Sequence, residues 1–106
     1  MSTQVFGAVD RNGGTLIAGS DNWSATKVSP GVYQITFATP FAAQPVVVAS
    51  GYIPREQGGA ASDNTFSVGP ITANGVKVRT YDVESKDVDN AGEAQDSEFT
   101  FIAIGA

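Results

Sequence analysis

The chain has no cysteine and no histidine. Without cysteine there is no disulfide, no thiolate metal site and no cysteine nucleophile. Without histidine there is no imidazole base near neutral pH, and the commonest metal ligand is missing. Ser-His-Asp catalysis and histidine-bound zinc are therefore outside this chain's chemistry. Positive charge is scarce too. Six basic residues stand against eleven acidic ones, for a net charge of -5. Arg11, Lys27, Arg55, Lys77, Arg79 and Lys86 are scattered rather than clustered. A surface for nucleic-acid phosphates needs a basic face, so DNA and RNA are not expected partners. No apolar run approaches the roughly 20 residues that cross a bilayer, and no membrane insertion is expected. Met1 to Val5 lacks the basic and apolar parts of a signal peptide.

What is present is β-pattern. One hundred and six residues suit a single domain, 1–106, with a core of its own. The segment Phe99-Thr100-Phe101-Ile102-Ala103-Ile104 reads as a buried strand that closes the fold. Tyr33, Ile35 and Phe37 alternate with Gln34 and Thr36, the period of a half-buried strand. Val76, Val78 and Thr80 alternate in the same way with Lys77, Arg79 and Tyr81. Val5 to Val9, Thr15 to Ile17, Trp23 to Val28 and Phe66 to Val68 supply shorter strands. The run Val46-Val47-Val48-Ala49 reads as a central strand covered on both faces.

Turns separate these segments. Asn12-Gly13-Gly14, Ser29-Pro30-Gly31 and Asn74-Gly75 carry residues that accept positive φ or preset the chain. Residues 54–64 and 84–98 read as long loops, the second acidic. No segment keeps a helical stripe over three turns. The expected fold is a small antiparallel β-sandwich of about six or seven strands.

Ile35-Thr36-Phe37-Ala38-Thr39-Pro40-Phe41, followed by Gln44-Pro45-Val46-Val47-Val48, resembles an H-type lectin domain. The similarity extends through Trp23 to Val28, Thr72 to Val78 and Phe101 to Gly105. The same pattern is similar to small sandwich modules of phage tail fibres and bacterial surface proteins. The resemblance covers residues 15–106. It implies a sandwich that assembles as a homotrimer and binds sugars. Covering so many apolar strand residues in a small sandwich also favours a partner surface.

The sugar pocket of the family is altered. The aromatic and histidine that follow the strand matching Val76 to Tyr81 are replaced by Val83 and Glu84. The family's arginine near the position of Thr65 has no counterpart. Asp21 matches the family's early acidic residue.

A sugar site needs an aromatic face for C–H groups and planar polar groups for hydroxyls. Trp23, Tyr52 and Tyr81 are the aromatic candidates, and each could instead pack against the core. Arg79, opposite in direction to Val78, is the candidate guanidinium, with a solvated ion pair as its plain alternative. Asp21 completes the set. Seven of the eleven acids lie between Asp82 and Glu98. Asp87-Val88-Asp89-Asn90-Ala91-Gly92 and Glu98 loosely follow an EF-hand loop, but Ala91 breaks the ligand pattern and the flanks are not helical. The hard oxygens of this loop could hold Ca²⁺; a solvated acidic loop is the other reading.

The expectation is thus a non-catalytic, multivalent binder of glycan or another cell-surface ligand, extracellular or carried on a virion. Its rival is a trimeric assembly domain of a fibre or surface protein that binds no sugar.

Overall fold

A computed structural model describes residues 3–53, 64–82 and 93–106, and the chain there is all β, with no helix among the described residues. The strands are β1 (Thr3–Val9), β2 (Thr15–Ile17), β3 (Trp23–Ser29), β4 (Val32–Phe37), β5 (Val46–Gly51), β6 (Asn64–Ile71), β7 (Gly75–Asp82), β8 (Glu93–Ala94) and β9 (Phe99–Gly105). They form two antiparallel sheets packed as a sandwich. Sheet A has the order β2-β1-β9-β5, and sheet B the order β3-β4-β7-β6. The short β8 pairs β7 at Tyr81 and Asp82, where the β4 ladder has ended. The expected β-sandwich is the observed fold, with slightly more strands than the patterning predicts.

Side-chain alternation explains which residues meet between the sheets. In β4, Tyr33, Ile35 and Phe37 point inward and are buried. In β9, Phe99, Phe101 and Ala103 do the same. Tyr33 meets Phe99 with ring centroids 5.2 Å apart, tilted at 59°. Phe37 meets Phe41 edge-on at 5.0 Å. These offset contacts suit the ring quadrupoles and close the core at both ends. β9 lies between β1 and β5, so the apolar segment Phe99 to Ile104 is a central strand, as its composition requires.

Turns form where glycine marks them. Gly31 has φ of 71° and lies against Thr80, whose N–H donates to the Gly31 carbonyl at 2.8 Å. Gly13 has φ of 90° in the β1–β2 turn. There the Asp10 carboxylate accepts from the N–H groups of Asn12 and Gly14 at 2.8 and 2.9 Å, the self-closing turn that aspartate favours. At Asn74-Gly75, the Thr72 hydroxyl accepts from both N–H groups.

One strand is placed differently from its pattern. Val46 to Ala49 belongs to β5, an edge strand of sheet A rather than a central one. Val47 is buried, but Val46 is 71% exposed and Val48 59%. A run of β-branched residues shows that both faces are apolar. It does not show that both are covered. Of the expected loops 54–64 and 84–98, residues 54–63 and 84–92 lie outside the described residues, as do Val83 and the EF-hand-like positions 87–92, while Asn64 opens β6 and Glu93–Ala94 form β8. The end of the second expected loop does not stay in solvent. Ser97 and Glu98 are buried.

Candidate functional site

The five expected ligand residues do not converge on one pocket. Trp23 opens β3 opposite Phe37. Its ring meets Phe101 edge-on at 4.9 Å, and its indole N–H donates to the Ala18 carbonyl at 2.7 Å. Both the apolar ring and its one donor are engaged within the fold. Gly7 is fitted to that ring, because a Cβ there would lie 2.3 Å from it. Asp21 is exposed just before Trp23. Tyr52 follows β5 and is half-buried, its N–H donating to the Glu98 carbonyl at 3.3 Å.

Arg79 and Tyr81 do share a surface. Val78 and Thr80 face the core and are fully buried. Strand alternation therefore turns Lys77, Arg79 and Tyr81 to the outer face of sheet B. Arg79 stands between Val32 on β4 and Ser67 on β6. Tyr81 stands between Ala94 on β8 and Thr65 on β6. Lys77 is paired with Gln34. Two cations, a phenol and an amide thus occupy neighbouring outward positions. Among the described residues, Arg79 has no ion-pair partner. Trp23 is elsewhere: from Phe37, opposite it, to Val32, opposite Arg79, β4 runs about 17 Å at the usual rise per residue.

A second cluster lies where residues 95–98 cross the end of the sandwich. Asp96 forms an ion pair with Lys27 and accepts the Gly31 N–H at 2.9 Å. Burial pushes its carboxyl up, but the hydrogen bonds from Lys27 and Gly31 prevail and hold it below its ordinary range. Arg11 pairs with Glu98 at 2.8 Å, and that hydrogen bond raises the Arg11 guanidinium further. Glu98 Oε1 is buried with no hydrogen-bond partner among the described residues. The Tyr33 hydroxyl donates to the Arg11 carbonyl at 2.7 Å and accepts from the Ser97 N–H at 3.1 Å. Burial pushes that phenol up to about 12. Thr80 donates to the Gln95 carbonyl. Asp96 and Glu98 are tied into the fold by Lys27, Gly31 and Arg11. No group of three or more potential metal ligands occurs among the described residues.

The third feature is the outer face of sheet A, which sequence patterning did not single out. Pairing across β1, β9 and β5 sets its rows. One row is Gln4, Ile104 and Val46; the next is Phe6, Ile102 and Val48; the third is Ala8, Thr100 and Ser50. Ile17 on β2 continues the third row beside Ala8. A shallow hollow of about 450 Å³ lies over the last two rows, bordered by Phe6, Ile17 and Val48 and floored by Ala8 and Thr100. Phe6 is 40% exposed and Ile104 41%. None of these outward positions carries a charge. The signal was in the chain: Phe6, Val48, Ile102 and Ile104 occupy the phase opposite to the core residues of their strands.

The edge of β1 next to this face is closed. The Ser20 N–H donates to the Phe6 carbonyl at 2.9 Å, and the Phe6 N–H donates to the Ser20 hydroxyl at 3.0 Å. Gly19 permits that approach, with φ of 61° and a would-be Cβ 2.4 Å from the Phe6 carbonyl.

Compared with protein-family models, curated proteins and solved structures, the chain finds no match. No helix among the described residues is long and apolar enough to cross a membrane.

Proposed function

We propose that this chain is a non-catalytic recognition module that binds glycan, or another hydroxyl-rich or anionic surface ligand, through the outer face of sheet B. The observation that supports this reading is the common direction of Arg79 and Tyr81 on β7, with Lys77 and Gln34 beside them. A guanidinium offers a planar fork of donors to paired hydroxyls or to an anion. A phenol ring offers an apolar face for sugar C–H groups. The site needs no cofactor. Of the five residues expected from sequence, Arg79 and Tyr81 are retained as ligand contacts. Trp23 acts as support, while Asp21 and Tyr52 stand apart.

One open site of this kind binds weakly. Several copies raise the apparent affinity by avidity, so the module works as a homo-oligomer, the trimer implied by the lectin resemblance being one such arrangement. A glycan ligand places its work outside a cell or on a virion. The acidic balance speaks against nucleic acid.

A second reading, an assembly domain of a fibre or surface protein without sugar binding, is favoured by a different observation. An uncharged, largely apolar surface lies on the outer face of sheet A, and neither Arg79 nor Tyr81 is part of it.

Melting-temperature shifts across a monosaccharide series, with and without Ca²⁺, separate the two. A ligand that binds only the folded chain raises the melting temperature by mass action. The recognition reading expects a selective rise that Arg79→Ala removes. No rise with any sugar favours the assembly reading.

A further inference from the structure

We propose that the outer face of sheet A is a contact between copies of this chain, with the ridge of Val46 and Ile104 on one copy seated in the hollow bordered by Phe6, Ile17 and Val48 on a second. This face supplies the copy-to-copy contact that the multivalent reading requires, but it uses no ligand residue of sheet B.

The first argument is from charge. The chain carries a net charge of -5, so copies repel one another through most of their surface. The outward positions of β1, β5 and β9 hold no charge, so two such faces meet without burying a carboxylate or ammonium. A basic or acidic partner would find nothing there to pair with. A second copy finds an equally uncharged surface.

Shape supplies the second argument. Val46 and Ile104 stand up at one end of the face, 71% and 41% exposed. The small residues Ala8, Ser50 and Thr100 lie at the other end, under the hollow. Knob and hole lie on one surface, two residues apart along each strand from row to row. A surface with this arrangement is complementary to itself, which is what a two-fold contact between identical subunits requires. On the β1 side the backbone at Phe6 is already satisfied by Ser20, so strand addition there does not compete with a contact through the face.

Area is the third. Three strands taken at six residues and the three-residue β2, at the usual spacing and rise, give a flat face of roughly 330 Å². Stable interfaces bury about 800 Å² of accessible surface per partner, a measure that side-chain relief enlarges over the flat area. The contact is therefore a weak, reversible one, a two-fold pairing in which the face of each copy covers the face of the other.

Sedimentation equilibrium over a concentration series tests this directly. The wild-type chain is expected at twice its 10.9 kDa mass, falling on dilution. Val46→Lys combined with Val48→Lys is expected at the mass of one chain, with its β circular dichroism intact because both side chains are already solvent-facing. Val46→Ser, a milder change, is expected to weaken association about tenfold, from the apolar area it withdraws. Thr36→Lys, an exposed position on sheet B, is expected to leave the mass unchanged. A wild-type monomer at every concentration overturns the proposal, and so does a double-lysine variant, or a Val46→Ser variant, that associates as the wild type does. None of these readouts involves a glycan, so failure of the ligand site and failure of this contact are distinguishable.

Discussion

The hydroxyl of Tyr33 and the main-chain carbonyl of Arg11 lie 2.7 Å apart, and this bond ties the middle of sheet B to the turn that follows β1. The same oxygen accepts the Ser97 N–H at 3.1 Å. One side chain thus joins β4, the β1–β2 turn and the segment leading into β9. Its ring packs against Phe99 in the core. Tyr33→Phe keeps that packing but leaves a buried N–H unpaired, so the expected loss is about 1–3 kcal/mol in denaturant unfolding.

Alkali should act through the same phenol. Burial raises Tyr33 from 10.0 to about 12. The folded state therefore holds its proton more tightly than the unfolded state. The resulting stability is fully present below pH 10 and is lost as pH rises toward about 12. Stability measured across that interval should fall less steeply in Tyr33→Phe than in the wild type.

Acid acts through Asp96. Its carboxyl is held below the ordinary value of 3.8, mainly by Lys27 and Gly31 acting against burial. The stability this confers is present above that value and is lost as pH falls through the lowered one. Asp96→Asn should have a lower melting temperature at neutral pH and a flatter acid limb below about pH 4.

Arg11 and Glu98 should couple. Glu98 is buried, and the Arg11 guanidinium is paired with its carboxylate. Arg11→Ala leaves a buried carboxylate uncompensated, with an expected cost of about 1–3 kcal/mol. In the Glu98→Gln background that charge is gone, so the same Arg11→Ala change should cost less. A double-mutant cycle measures the difference.

Gly31 is required by conformation as well as by space. Its φ is 71°, and a Cβ would sit 2.7 Å from the Thr80 carbonyl. Gly31→Ala should cost at least the roughly 1–2 kcal/mol of placing an L-residue in the left-handed region. Urea unfolding measures it.

The legible part of the fold came from alternation. β4 and β7 each place one phase in the core, at the residues that period-2 patterning selects, and β9 was legible as a buried strand from its apolar composition. The same reasoning put Arg79 on the face opposite Val78, where it lies. β5 was misplaced for a related reason. Val46 to Val48 is apolar in both phases, and no local pattern distinguishes a covered outer face from an uncovered one. The polar cluster at residues 95–98 was hidden for a different reason. Its acids look like those of a solvated loop until the fold brings Lys27, Arg11 and Tyr33 to them from far along the chain. Trp23 has the composition of a sugar platform, but only tertiary contacts show that its ring and its N–H are already engaged.

The most direct test of the recognition reading is a glycan-array comparison of the wild type with Arg79→Ala and Tyr81→Ala, alongside Trp23→Phe. Selective glycan binding that is lost in the first two variants and kept in the third is the predicted result. Binding that survives both Arg79→Ala and Tyr81→Ala, or a wild-type chain that binds no glycan, would contradict it.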